Sequence, residues 1–299
     1  MKRKDFLKNA LTGSMAALLG VSAKAKTIQK PEPAEHKKSN RSFDTNQVGY
    51  NHLPNKETKT MNTILHKADT RGDANHGWLH SKHTFSFANY HNPERMNFGV
   101  LRVLNDDTVS ESRGFGAHPH RDMEIVSIPL EGDLKHQDNM GNETVIKSGD
   151  IQVMSAGTGV MHSEYNNSPE HPVKFLQIWV MPNKRNVTPR YDQITLNTAD
   201  RKNKLQQVLS PNADDDGVWI HQNAWFNMTN LDDGNEVQYH LNDTENNGVY
   251  AFILKGNASI NGQALNERDG FGIWDVESLD IKADSDTEIL LMEVPMQLN

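Results

Sequence analysis

The chain has 299 residues, 35% of them apolar and 23% charged, with a formal net charge of −8 and no cysteine. That length accommodates two globular domains with proper cores, and no apolar run approaches a membrane span. The acidic balance disfavours nucleic acid and anionic membranes as partners, while the lack of cysteine excludes disulfides, iron–sulfur clusters and thiolate metal sites.

Residues 1–25 read as an export signal. A basic start, Lys2-Arg3-Lys4-Asp5-Phe6-Leu7-Lys8, precedes a weakly apolar stretch from Ala10 to Ser22 and a small-x-small cleavage site, Ala23-Lys24-Ala25. The pattern resembles a twin-arginine signal with Lys4 in place of the second arginine, and implies a periplasmic location. The alternative is a disordered arm on a cytoplasmic protein. From Lys26 to about residue 60 the chain is polar, with too few apolar residues to bury, and is expected to be a flexible linker.

Alternating apolar residues begin near Thr63. Strands are expected at His83–Ala88 and Phe98–Leu104, the second closed by an Asn105-Asp106-Asp107 turn. Two ligand-like pairs follow, His118-Pro119-His120 and His162-Ser163-Glu164. On a strand, residues at i and i+2 share a face, so two such strands facing each other converge three imidazoles and a carboxylate. Between them run Met123–Leu134, with a Gly132-Asp133 turn, and a strand opened by Gly149-Asp150. Val173–Met181 ends a first β-domain spanning 61–190. Residues 191–299 repeat the theme in a second, with strands at Leu205–Leu209, Gly217–His221, Val237–Leu241, Val249–Gly256, Ala258–Gly262, Gly270–Asp275 and Glu288–Val294. Trp274-Asp275 stands where a second ligand pair would be, so this half is expected to bind no metal.

An all-nitrogen and oxygen donor set suits a divalent transition metal, and Fe, Zn, Mn, Co, Ni and Cu remain open on affinity alone. Four protein ligands around an octahedral ion leave two positions for water, dioxygen or a substrate oxygen. Glu124 lies four residues after His120 and reads either as a partner orienting an imidazole or as a solvated carboxylate. His136, His76, His80 and His83 are set aside as surface or packing residues. Phe85, Phe87, Met154, Met161 and Trp179 line either a cavity or the core.

At His118-Pro119-His120, the run Glu131–Gly141 and Met154–Tyr165, the sequence resembles the pirin family of the cupin superfamily. The resemblance extends from about Asn62 to the carboxyl end and takes in His76-Gly77-Trp78, His83–Phe87 and Gln177-Ile178-Trp179. It implies an all-β bicupin, two jelly-roll-like β-barrels packed together. It also implies one iron(II) on His118, His120, His162 and Glu164, and an activity of the quercetin 2,3-dioxygenase kind on a flavonol-like aromatic and dioxygen. Glu164 would take the substrate hydroxyl proton, and the protein would act as a monomer. A non-catalytic alternative is a metal-binding factor that regulates a protein partner, as animal pirins are described.

The export reading has a direct check. Cell fractionation followed by sequencing of the mature amino terminus should find a periplasmic chain beginning at Lys26, whereas a cytoplasmic chain beginning at Met1 would reduce the segment to a disordered arm.

Overall fold

The computed structural model describes residues 60–298. The expected export signal and, Thr60 apart, the expected linker lie outside the described residues. The first half supplies β1 (Asn62–His66), β2 (Gly72–Asn75), β3 (Leu79–His83), β4 (Leu101–Val109), β5 (Gly114–His120), β6 (Glu124–Glu131), β7 (Leu134–Asp138), β8 (Glu143–Ile146), β9 (Asp150–Ser155), β10 (Val160–Asn166), β11 (Val173–Val180) and β12 (Arg190–Thr195). The second supplies β13 (Gln206–Ser210), β14 (Val218–Trp219), β15 (Trp225–Leu231), β16 (Glu236–His240), β17 (Asn247–Lys255), β18 (Ala258–Ile260), β19 (Gln263–Leu265), β20 (Gly270–Trp274), β21 (Ser278–Ala283) and β22 (Thr287–Pro295). Two short 3-10 turns, Ala68–Thr70 and Thr198–Arg201, are the helical elements among the described residues.

The fold is all-β and in two parts, as expected, but its sheets stay open rather than closing into barrels. A seven-stranded sheet ordered β12-β9-β6-β11-β4-β3-β2 and a four-stranded sheet ordered β5-β10-β7-β8 make up the first part. The second pairs a seven-stranded sheet, β1-β20-β17-β22-β15-β13-β14, with the four strands β16-β21-β18-β19. Strand β1 therefore belongs to the first half in sequence yet hydrogen-bonds to β20 of the second, and β12 carries the first sheet past residue 190.

Side-chain alternation along the large sheets sets what lies where. Val126 and Ile128 of β6, and Leu176, Ile178 and Val180 of β11, share one apolar cluster with Phe226, Tyr250, Phe252, Leu290 and Met292 from the other half. Each such side chain contributes about 1.5–3 kcal/mol by leaving water, so this shared face is the main adhesive between the halves. The opposite face of the second large sheet is also apolar, with Ala251, Ile253, Phe271, Ile289 and Leu291 packed against Ile260, Leu279 and Ile281. In the first half the opposite face differs. Register places His83, Asn105, Gln177, Ser127, Gln152 and Gln193 side by side across six strands, a polar row through the sandwich.

That row corrects the sequence reading of Asn105-Asp106-Asp107. The triplet is not a turn but lies inside β4, and Asn105 and Asp107 are buried. Likewise the strand expected at His83–Ala88 is displaced: β3 ends at His83, and Phe85 turns into the shared core beside Tyr250.

The junction from β1 back to the first half is fixed by one buried carboxylate. Asp269 pairs with the Lys67 ammonium and accepts from the backbone N–H of Ala68 at 2.8 Å and of Asn266 at 2.9 Å. Replacing Asp269 by Ala strands those donors and should cost roughly 1–3 kcal/mol, read as a lowered denaturation midpoint with metal content unchanged.

Candidate metal centre

Three strands of the small sheet aim polar side chains at the polar row. β10 alternates, burying Val160, His162, Glu164 and Asn166 and exposing Met161 and Tyr165. It lies between β5 and β7, with His162 opposite His118 on one side and Asp138 on the other. The two ligand-like pairs thus sit on hydrogen-bonded neighbours in one sheet rather than on facing strands. Between His162 and Glu164 the β5–β10 register slips by a bulge, which re-aims the carboxylate. Gly114 makes that approach possible, since a Cβ there would lie 2.2 Å from the Glu164 carbonyl oxygen.

The structure brings His118, His120 and His162 together, with one donor atom from each within 4.8 Å of the others. Glu164 meets His162 within the same limit, but its third companion there is His136. The Glu164 carboxylate is drawn toward the large sheet: Ser127 Oγ donates to Oε1 at 3.1 Å and Gln177 Nε2 donates to Oε2 at 2.8 Å. His118 is oriented by its Nδ1, 2.8 Å from the Gly116 carbonyl, which leaves Nε2 as its free donor atom. His120 packs edge-on to Trp179, with ring centroids 4.9 Å apart.

Electrostatics favour an incoming cation. Burial first, then the charges of His118, His120 and His136, depress the His162 imidazole to about 2, and burial with His118 holds His120 at about 4. Both rings are therefore neutral, the form that binds metal. Both nitrogens of His162 are buried without a hydrogen-bond partner. An orphaned imidazole of this kind costs free energy unless something outside the chain satisfies it, so the donor set fits a metal ion. Burial, with Asp107 nearby, pushes the Glu164 carboxyl up to about 7 against the hydrogen bonds from Ser127 and Gln177.

Sequence reasoning set His136 aside, yet it is fully buried inside the site. Its Nε2 lies 3.1 Å from Asp138 Oδ2, its ring centroid is 5.3 Å from that of His162, and its Nδ1 is unpaired. Even spacing from Asp138 and Leu134 on an alternating strand was the available signal. Glu124 fits neither of its expected descriptions. It is buried, on the face toward the other half, and accepts from Ser155 Oγ at 2.6 Å rather than from an imidazole. His80 pairs with Asp73 at the surface, while His76 and His83 line the cavity described next. Met154 is core and Met161 is exposed.

The His cluster opens onto a cavity of about 600 Å³. Its lining includes His118, His120, Glu164, Gln177 and Asp107 together with the aromatic residues Phe87, Tyr90, Phe115 and Trp179. This size and mixture are those of a small-molecule site. Among the described residues no comparable ligand group occurs in the second half. A buried carboxylate there, Glu293, is instead satisfied internally by Tyr239, Asn242, Asp243 and Asn247.

Metal analysis should accordingly find close to one equivalent per chain. His162→Ala should lose that stoichiometric metal while keeping its circular dichroism, because the two β-cores carry the fold. Full occupancy in that variant would refute the site.

Comparison with known proteins supports the same arrangement. The model of the Pirin family matches residues 58–180, and that of the quercetinase C-terminal cupin domain matches 207–294. Quercetin 2,3-dioxygenase of Escherichia coli K12 is 47% identical over 232 residues, covering 77% of this chain and 98% of the relative. A pirin-like protein of Caulobacter vibrioides is 40% identical over 226 residues, 75% of this chain and 96% of that one. Among solved structures, the bacterial pirin of Escherichia coli in complex with nickel(II) superposes with a TM-score of 0.74 at 44% identity, covering 78% of this chain and 99% of that one. The chain, with its two open cupin sandwiches and a histidine cluster in the first, belongs to the pirin family.

Proposed function

We propose that this protein is a metal-dependent dioxygenase of the pirin type that opens quercetin-like flavonols or related aromatics. One divalent metal, iron(II) for preference, would be held by His118, His120, His162 and Glu164. The observation that carries this reading is the convergence of three imidazoles and a buried carboxylate beside an aromatic-lined cavity. The relatives named quercetin 2,3-dioxygenase support it.

When bound, the metal would supply Lewis acidity toward a substrate hydroxyl and a path for electrons to dioxygen. The chain does the rest. Phe87 stands edge-on to Trp179 with centroids 5.4 Å apart, so a flat aromatic ligand meets apolar ring faces beside His120. Glu164 takes the substrate hydroxyl proton, and a buried carboxyl near neutrality is suited to hold it. Gln177 and Ser127 fix the two oxygens of that carboxylate, and its burial keeps bulk water from competing for the proton.

Purified protein loaded anaerobically with ferrous iron, then given quercetin and air, should lose the flavonol absorbance and release carbon monoxide. Glu164→Gln should retain much of its metal yet lose roughly 10²–10⁴-fold in rate, the scale of a missing proton acceptor. Absence of turnover with iron, nickel, manganese, cobalt, copper and zinc alike would overturn the assignment. An inert site in a protein that captures a stoichiometric partner would favour the regulatory reading.

A further inference from the structure

The polar row on the floor of the first sandwich is not used up by the metal centre. Ser127 and Gln177 hold Glu164, but the next positions outward are not satisfied by the protein. Asn105, beside Gln177 in the register, leaves its side-chain oxygen buried and unpaired. So does Asp107, two residues further along the same face of β4, whose Oδ1 has no partner. Asn105 is 2% exposed and Asp107 4%, and both line the cavity that the histidines enter. His83 on β3, opposite Asn105, adds an unpaired Nδ1.

Each orphaned buried acceptor destabilises the fold, and a buried carboxylate does so more. A leucine in either position would be cheaper for the fold. The second half shows what a purely structural interior looks like here, with Ala251, Leu291 and Phe271 adjacent in one row. The first half thus maintains two acceptors on the cavity wall for a donor that the chain does not contain.

We propose that Asp107 and Asn105 form a hydroxyl-recognition subsite, which selects polyhydroxylated aromatic ligands through the ring remote from the metal centre. The proposal rests on the flavonol reading and adds its specificity determinant. Two buried oxygen acceptors repel carboxylates and favour neutral O–H donors. Phe87 and Tyr90 on the same cavity wall supply the apolar faces for the ring that carries those hydroxyls. Asp107 is a positioning group in this scheme, since it binds the far ring and not the reacting atoms.

The test is calorimetric titration of metal-loaded protein without oxygen, at pH 8, using two flavonols that differ only in the hydroxyls of the pendant ring. Wild type should bind the dihydroxylated compound about tenfold or more tightly than the unsubstituted one, the scale of hydrogen bonds to a charged acceptor. Asp107→Leu, and the isosteric Asp107→Asn as a variant that keeps the packing, should shrink that preference while still binding the unsubstituted flavonol. Both variants should melt at or above the wild-type temperature, because a buried carboxylate with one unsatisfied oxygen has been removed. A preference unchanged in both variants, or absent from the wild type that still turns over quercetin, overturns the subsite alone. A preference that disappears on substitution in a protein that never turns over quercetin supports the subsite and overturns the dioxygenase reading. Failure of wild type to bind either flavonol overturns both.

Discussion

The face shared by the two seven-stranded sheets is the constraint on which the rest depends. Val126, Ile128, Leu176 and Ile178 bury their side chains against Phe226, Phe252, Leu290 and Met292, and that one contact supplies much of the apolar burial of the first half. A sheet stabilised on one face no longer needs its other face to be greasy. The first sandwich uses this freedom to carry His83, Asn105, Gln177 and Ser127 across its interior, a set that would leave an isolated sandwich of this size poorly held together.

From that floor the site follows almost by geometry. The small sheet faces it with β5, β10 and β7 side by side, and every second residue of β10 points inward. Gln177 and Ser127 reach up to hold the Glu164 carboxylate, while the bulge after His162 and the missing Cβ of Gly114 let the strand bend toward them. Burial then does the electrostatic work. It keeps His162 and His120 neutral and raises the Glu164 carboxyl, so that the free energy withheld by desolvation is released when a cation arrives.

The His118/His120 and His162/Glu164 pairs were legible in the sequence because strand periodicity and chemistry coincide there. Most second-half strands were legible too, because their apolar runs end at Gly, Asn and Asp turns. What escaped was tertiary. Asn105-Asp106-Asp107 has the composition of a turn, and local chemistry cannot distinguish a turn from a strand whose polar side chains line a cavity made by distant residues. His136 was one of 14 histidines, and only the pairing of β7 with β10 sets it beside His162. The crossing of β1 to β20 leaves no mark in the alternation of Asn62–His66, since a strand carries the same pattern whichever sheet accepts it.

The two halves share an architecture and differ in what their interiors do with a buried acid. In the second, Glu293 accepts from Asn242, Asp243 and Asn247 backbone or side-chain nitrogens and from the Tyr239 hydroxyl, so nothing is left for a ligand to satisfy. Around it Val249, Ile273 and Leu279 close the space. In the first, Glu164 is held by only Ser127 and Gln177 and opens toward imidazoles with idle nitrogens, while Asp107 has an idle oxygen. An unsatisfied polar interior is unstable unless a larger apolar contact compensates, and the second half provides that contact. The filled core of the second half makes it the rigid partner against which the first half can keep a reactive interior open.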